Sequence, residues 1–244
     1  MPTERADIIA QLQRDILLLQ GLKPTLYNAA VDVGLGPVRE AFADGIFPTG
    51  AVHELLSADA EHAAATTGFI SSILGGLMQD GRAVIWISTA RKIFPPALKS
   101  FGIEPDRIIF IDTANDKESL WVMEEALKCE GLAAVVGEIK DVSFTHSRRL
   151  QLAVEKSRVT GFIHRHQPRT VNTTTCVSRW LVSPLASGPE ELLPGVGFPR
   201  WNIVLQRIRG GKPGSWQVEW SDGKLQSIHH RMATVPQRPM RKIS

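Results

Sequence analysis

The stretch from Phe47 to Gly81 reads FPTGAVHELLSADAEHAAATTGFISSILGGLMQDG, and it decides the fold. Its Pro48-Thr49-Gly50 segment is typical of a turn, and the apolar run Ala51 to Leu56 that follows predicts a buried strand. A polar loop, Ser57 to Glu61, leads into small and apolar residues that predict a helix from about His62 to Met78. A strand, a loop and a helix therefore follow one another directly, as at the start of a parallel α/β sheet.

The same order of elements surrounds the P-loop, in which the pattern GxxxxGKT binds the phosphates of a nucleotide. The glycines of a P-loop let backbone N–H groups approach phosphate, and its lysine neutralises charge. With the hydroxyl position placed on Thr66, the lysine position falls on Ala65, and the glycine positions fall on Asp59 and Ala64. Asp59 and Glu61 also add negative charge where phosphates would lie. The stretch therefore has the strand, loop and helix order of a nucleotide-binding site but lacks the residues that bind phosphate.

The composition is that of a chain that can bury one sizeable core, with 244 residues of which 43% are hydrophobic. Its two cysteines, Cys129 and Cys176, predict neither a disulfide framework nor a metal site. No hydrophobic signal region opens the sequence, and no apolar run approaches about 18 residues. We therefore expect a soluble, cytoplasmic protein that does not contact a membrane.

Positive charge is concentrated near the end of the sequence. Residues 200 to 244 contain nine Lys or Arg and two acidic residues, which gives +7, whereas the whole chain carries +3. From residue 226 onward the sequence shows no periodicity, and we interpret residues 226–244 as a basic, disordered tail. Such a tail favours either an anionic partner or a simple solubilising function.

An amphipathic helix is predicted from Thr3 to Gln20, followed by a linker up to residue 43. Its apolar side chains recur at helical spacing, and Ile9, Leu12 and Ile16 have the spacing of anchors that lie in a groove. Two interpretations remain open: the helix packs on its own domain, or it docks on a partner. The core is predicted to span residues 44–225.

Strands and helices alternate after the opening unit, which predicts a mostly parallel sheet with helices on both faces. The last third changes to an alternating pattern, and Trp201 to Arg209 and Ser215 to Trp220 predict an antiparallel hairpin. The fold class is therefore α/β with a C-terminal hairpin. The predicted strands between are Arg82 to Ser88, Arg107 to Thr113, Leu132 to Ile139, Phe162-Ile163 and Thr175 to Val182, and the predicted helices are Pro95 to Phe101, Asn115 to Lys128 and Thr145 to Arg158.

This order of elements resembles the RecA ATPase core, and residues 40–225 more narrowly resemble the ImuA family of RecA-like proteins of SOS-induced mutagenesis. Three stretches carry the narrower resemblance: GIFPTGAVHELL at Gly45 to Leu56, PPALKSFGIEPDRIIFID at Pro95 to Asp112, and LWVMEEALKCEGLAAVVGE at Leu120 to Glu138. The resemblance implies a RecA-like P-loop NTPase fold with a degenerate nucleotide site.

Comparison with RecA-type enzymes also locates the missing catalytic groups. Their catalytic glutamate would fall on Ala90, and their metal-binding aspartate on Gly137. A one-residue slip would instead make Glu138 the metal-side carboxylate, but it would move the side chain to the other face of the strand. His164 and His166 share a strand face, but no third ligand is recognisable beside them in the sequence. We therefore expect no catalytic residue, no metal site and no cofactor.

Candidate DNA-binding residues are identified by their position in the sequence and by their positive charge. The segment after the strand at Phe162 corresponds to a DNA-binding loop in RecA, and Arg165, Arg169 and Arg179 supply positive charge there. A solvated loop is the alternative interpretation. The tail offers a second set of candidates, Arg238, Arg241 and Lys242.

The resemblance implies a non-catalytic accessory factor in error-prone translesion DNA synthesis. The partners that it implies are an ImuB-like, Y-family-type protein and an ImuC-type (DnaE2-type) polymerase. RecA itself and DNA are additional candidates. One alternative is a cell-division inhibitor similar to SulA, another shortened RecA-like protein. A second alternative is a weak ATPase with an unusual loop.

Overall fold

The computed structural model describes residues 31–187 and 197–228, which form one nine-stranded sheet and three α-helices on its two faces. The predicted helix with Ile9, Leu12 and Ile16, and the tail with Arg238, Arg241 and Lys242, lie outside these ranges. None of the helices in the described ranges is both long and apolar enough to cross a membrane. The strands are β1 (Val52–Ser57), β2 (Ala83–Ser88), β3 (Ile108–Asp112), β4 (Leu132–Glu138), β5 (Thr160–His166), β6 (Ser178–Leu185), β7 (Arg200–Ile208), β8 (Gly214–Ser221) and β9 (Lys224–Ser227); the helices are α1 (Ala60–Leu77), α2 (Asp116–Leu127) and α3 (Phe144–Ser157).

The strand order is β3-β2-β4-β5-β1-β6-β7-β8-β9. Every pair from β3 to β6 is parallel, and every pair from β6 to β9 is antiparallel. The prediction of a mostly parallel sheet with a C-terminal antiparallel hairpin is thus confirmed. β1 lies between β5 and β6, and all six of its residues are buried because helices cover both sheet faces.

Each face of the sheet has its own hydrophobic core. On one face Phe69 and Ile73 of α1 pack among Trp86, Trp180 and other large side chains. On the opposite face, α2 and α3 bury residues such as Met123 and Leu150 against the strands. Side chains on a strand alternate between these two environments, so neighbouring residues have different surroundings.

Local sequence signals place the start of α2. Asn115 caps α2 by accepting a hydrogen bond from the Glu118 backbone N–H at 3.1 Å, and the Glu118 carboxylate accepts one from the Ala114 N–H at 2.8 Å. The predicted helix over Asn115 to Lys128 is therefore confirmed. In contrast, Pro95–Phe101 forms a 3-10 helix that ends at Gly102, where φ is +72°.

The described part of the predicted linker belongs to the core. Val33, Leu35 and Val38 are buried in the same cluster as α1, so this segment is packed rather than exposed. It passes so close to α1 that a Cβ atom at Gly76 would lie 2.6 Å from Val33 Cα. The core therefore begins before residue 44, a boundary that the loss of helical periodicity after Gln20 did not indicate.

Candidate site at the carboxyl ends of the central strands

Polar side chains meet where β1, β4 and β5 end and α1 begins. Ser57 is the last residue of β1, Glu138 ends β4, and His166 ends β5. Ligands of open α/β sheets bind beyond the carboxyl ends of strands, so this position is the natural place for a site in such a fold. It is also the position of the predicted degenerate nucleotide pocket.

The connection from β1 to α1 consists of Ala58 and Asp59 alone. Asp59 is the N-cap of α1: its carboxylate accepts a hydrogen bond from the His62 backbone N–H at 2.9 Å. This hydrogen bond lowers the pKa of the Asp59 carboxyl below its ordinary value. The helix therefore begins at Ala60, two residues before the predicted start, because Asp59 acts as a cap rather than as part of a loop.

This early helix start removes the P-loop itself. Ala64, Ala65 and Thr66, which occupy the Gly-Lys-Thr positions of the motif, all lie inside α1. Ala64 is exposed, whereas Ala65 and Thr66 are buried. No extended loop remains between β1 and α1 whose backbone N–H groups could surround a phosphate.

Thr66 is instead part of a buried hydrogen-bonded chain. Ser57 Oγ donates to Thr66 Oγ1 at 3.0 Å, and the same Ser57 oxygen lies 2.8 Å from His164 Nε2. Because the Ser57 proton points to Thr66, His164 Nε2 must be the donor in the second bond. His164 is therefore the tautomer that carries its proton on Nε2 and a lone pair on Nδ1. Burial lowers the pKa of His164 well below its ordinary value, so the imidazole is neutral.

Glu138 lies on the same side of the sheet as this chain. Trp86 Nε1 donates to Glu138 Oε1 at 2.8 Å, and His166 Nε2 lies 3.3 Å from Glu138 Oε2. The rings of His164 and His166 are 3.9 Å apart between centroids. One ligand atom from each of Glu138, His164 and His166 fits within a mutual distance of 4.8 Å. Two imidazoles and a carboxylate thus converge where the nucleotide pocket was predicted.

The sequence analysis predicted no third ligand beside His164 and His166, and this prediction is wrong. Glu138 is aligned with His164 in the parallel pairing of β4 with β5. Gly137, the position matched to the metal-binding aspartate, faces α2 instead, and a Cβ atom there would lie 2.7 Å from Met123 Sδ. Ala90, the position matched to the catalytic glutamate, is exposed in the segment after β2. The site therefore receives its carboxylate from Glu138, and neither Gly137 nor Ala90 supplies one.

Two of the candidate DNA-binding arginines belong to the interior. Arg165 is fully buried, and its guanidinium donates to Glu54 Oε1 at 2.8 Å and to the Thr170 carbonyl oxygen at 2.8 Å. Arg179 Nε donates to Glu54 Oε2 at 2.8 Å, and the Arg179 side chain is only 14% exposed. The assignment of Arg165 to a phosphate contact must be corrected, because its guanidinium is enclosed and already bonded.

Arg169 has the surface position that was expected of all three arginines. Its side chain is 79% exposed, and its Nε lies 4.0 Å from Asp141 Oδ2.

Cys176 is buried, and burial raises the pKa of its thiol to about 12. The thiol is therefore protonated at neutral pH and unreactive.

Comparisons with known proteins address the family and the fold. No protein-family model matches the chain. It is similar to Protein ImuA of two Caulobacter vibrioides strains, NA1000 / CB15N and ATCC 19089 / CIP 103742 / CB 15. In each case the identity is 36% over 190 residues, which cover 73% of this chain and 78% of the relative.

Two further similarities are more limited. The Cell division inhibitor SulA of Photorhabdus laumondii subsp. laumondii is 29% identical over 100 residues, which are 41% of this chain and 56% of that protein. Among solved structures, the crystal structure of the RadB recombinase aligns with a TM-score of 0.56 and 14% identity, over 82% of this chain and 100% of that one. At this identity the structural match supports the fold alone.

Proposed function

The chain belongs to the ImuA family, and from this premise we propose that it is a non-catalytic, RecA-like accessory factor in damage-induced, error-prone translesion DNA synthesis. The observation that carries the proposal is the two-residue connection between β1 and α1. This short connection leaves no loop that could hold a nucleotide, while the rest of the chain keeps a RecA-like fold. A fold kept without its phosphate-binding loop is suited to binding rather than hydrolysis.

Electrostatics at this connection oppose nucleotide binding further. A helix N-terminus attracts phosphate through its free N–H groups, but here the Asp59 carboxylate already accepts from one of them. Phosphate would also meet the negative charge of Asp59 with no lysine from position 65. ATP hydrolysis needs positioning and charge neutralisation from several groups together, so the combined loss supports a non-catalytic role.

The proposed partners are those implied by family membership: an ImuB-like, Y-family-type protein and an ImuC-type polymerase, with RecA as a further candidate. Attachment through the Thr3 to Gln20 helix would use its apolar stripe, including Leu12 and Ile16. DNA contacts would come from the exposed Arg169 and from the basic tail.

The test is reconstitution of the full-length chain with the purified ImuB-like and ImuC-type proteins of the same genome. We expect a stable complex by size-exclusion chromatography without added nucleotide. Absence of the complex, together with ATP turnover by the chain alone, would overturn the proposal. Stimulation of lesion bypass by the polymerase would establish the functional part.

A SulA-like function is the second candidate, because part of the chain is 29% identical to a SulA protein. That match covers 41% of this chain, whereas the ImuA match covers 73%. Assembly of the division protein FtsZ separates the two functions. A SulA-like chain would block FtsZ polymerisation at stoichiometric concentration, and an ImuA-like accessory factor would leave it unchanged.

A further inference from the structure

We propose that Glu138, His164 and His166 form a binding site for one divalent transition-metal ion with the coordination preferences of Zn²⁺. The three side chains come from the adjacent strands β4 and β5 and lie on the α1 face of the sheet. The inference is independent of the accessory function, since it depends only on the geometry of these residues.

Backbone geometry brings the three ligands together. His164 and His166 are two residues apart on β5, so their side chains leave the same face of the strand. Glu138 is paired with His164 across the β4–β5 ladder, which brings its carboxylate beside the imidazoles. One donor atom from each residue lies within 4.8 Å of the others. Small side-chain adjustments can bring such atoms to the roughly 2.0–2.2 Å Zn–N and Zn–O distances of protein sites.

His164 is already prepared as a ligand. Its Nε2–H is donated to Ser57 Oγ at 2.8 Å, and its Nδ1 has no hydrogen-bond partner although the residue is fully buried. A buried polar atom without a partner costs roughly 1–3 kcal/mol, so its presence calls for an explanation. A metal ion would accept the Nδ1 lone pair. The Ser57–Thr66 chain would then be the outer support that metal-bound histidines commonly have.

The other two ligands are held in position but not fully bonded. Trp86 Nε1 fixes Glu138 Oε1 and leaves Oε2 directed to His166. His166 Nε2 lies 3.3 Å from that oxygen, yet it makes no hydrogen bond of good geometry. The side chains of Glu138 and His166 are 10% and 26% exposed, so the site lies close to the protein surface.

The donor set selects the class of metal. Two imidazoles and one carboxylate suit Zn²⁺ and related ions, whereas Mg²⁺ and Ca²⁺ prefer oxygen ligands. A bound ion would join β4 to β5 and, through Ser57, to β1 at the place of the lost nucleotide site.

The test uses the full-length chain, stripped with EDTA and titrated with ZnCl₂ by isothermal calorimetry. We expect one saturable site per chain that millimolar MgCl₂ does not occupy. Glu138→Gln keeps the volume of the side chain and the Trp86 contact, and His166→Ala removes a partly exposed ligand. Each should weaken Zn²⁺ binding at least tenfold.

Two controls separate this site from other histidines. His146→Ala changes a histidine of α3 and should leave the affinity unchanged. A double variant, His229→Ala with His230→Ala, removes the adjacent pair near the end of the chain and should likewise leave the affinity of the site unchanged. Absence of saturable binding would overturn the proposal. Equal affinity in wild type and in folded His166→Ala protein would also do so.

Discussion

Arg165 and Glu54 form an ion pair in the interior of the sheet, with 2.8 Å between Nη1 and Oε1 and both side chains fully buried. Glu54 also receives hydrogen bonds from Arg179 and from Thr174 Oγ1. One carboxylate therefore pairs with two guanidinium groups across β1, β5 and β6, and Asp141 Oδ1 lies 3.6 Å from Arg165 Nη2. The arrangement explains why the charges of Arg165 and Arg179 do not indicate a DNA-binding surface.

The first prediction is that Glu54→Gln strongly destabilises the protein. Removing one partner of a buried ion pair leaves uncompensated charge and typically costs about 3–5 kcal/mol. Urea unfolding followed by circular dichroism measures the change in the free energy of unfolding. Glu125→Gln is the matched control, because Glu125 pairs with Lys128 at the surface and its loss should cost under about 1 kcal/mol. Equal, small effects of both changes would contradict the interpretation.

The second prediction concerns acid stability and His53. His53 Nε2 donates to the Pro48 carbonyl oxygen at 2.8 Å, and Nδ1 lies 2.7 Å from Ser178 Oγ. Burial lowers the pKa of His53 from 6.5 to about 4 in the folded protein. The unfolded chain therefore binds a proton at a higher pH than the folded protein does. The stability conferred by neutral His53 is fully present above pH 6.5 and is lost as the pH falls towards 4.

The shift of His53 corresponds to about 3 kcal/mol of unfolding free energy across that interval. His164 changes stability in the same direction, since its pKa is also lowered by burial. The comparison must therefore be made between wild type and His53→Gln. Urea unfolding between pH 4 and pH 7 should show a shallower pH dependence in the variant. Parallel curves would show that His53 does not titrate as described.

The third prediction is that Mg-ATP does not stabilise the protein. A site saturated at 100 times its Kd would add about 2.7 kcal/mol of stability, which thermal unfolding resolves as several degrees. Ala65→Lys should not restore hydrolysis, because residue 65 is buried inside α1 rather than in a phosphate-binding loop. A clear rise in Tm with Mg-ATP in the wild-type chain would contradict the prediction.

The fourth prediction is that DNA binding, where it occurs, is independent of sequence and depends on the basic tail. Truncation before Gln237 removes Arg238, Arg241 and Lys242 and should reduce the log–log salt slope by about 2–3, at roughly 0.7–0.9 per phosphate contact. Arg169→Ala should reduce it by less than 1. Fluorescence anisotropy with labelled DNA at several salt concentrations measures both. An unchanged slope in both variants would remove these residues from the interface.

The fifth prediction concerns the partner helix. The double change Leu12→Ala and Ile16→Ala should weaken the complex with the ImuB-like protein strongly, since truncation of a central apolar anchor costs about 2 kcal/mol or more. The Tm of the isolated chain should barely change if the helix is free before binding. Calorimetric titration measures the affinity for the ImuB-like protein, and thermal unfolding measures the Tm of the isolated chain. A large fall in Tm with retained binding would instead assign the stripe to the protein's own core.

Signals that act over a few residues were sufficient for much of this fold. The alternation of apolar strands with capped helices predicted the parallel sheet, and Asn115 with Glu118 predicted the start of α2. Caps and periodicity involve neighbours in the chain, so their outcome is readable from the sequence. The loss of the phosphate-binding residues at Ala64 and Ala65 was readable for the same reason.

Contacts between distant strands were decided only by the tertiary structure. The sequence determined that His164 and His166 share a strand face, because side chains alternate along a strand. It did not determine that Glu138 would stand beside them, since this depends on the register of β4 with β5 across the intervening helix α3. The same holds for Arg165, whose charge was visible in the sequence and whose burial against Glu54 required the pairing of β1 with β5. Parallel strands are joined by a long crossover rather than by a tight turn, so their register depends on how the helices and the sheet pack together.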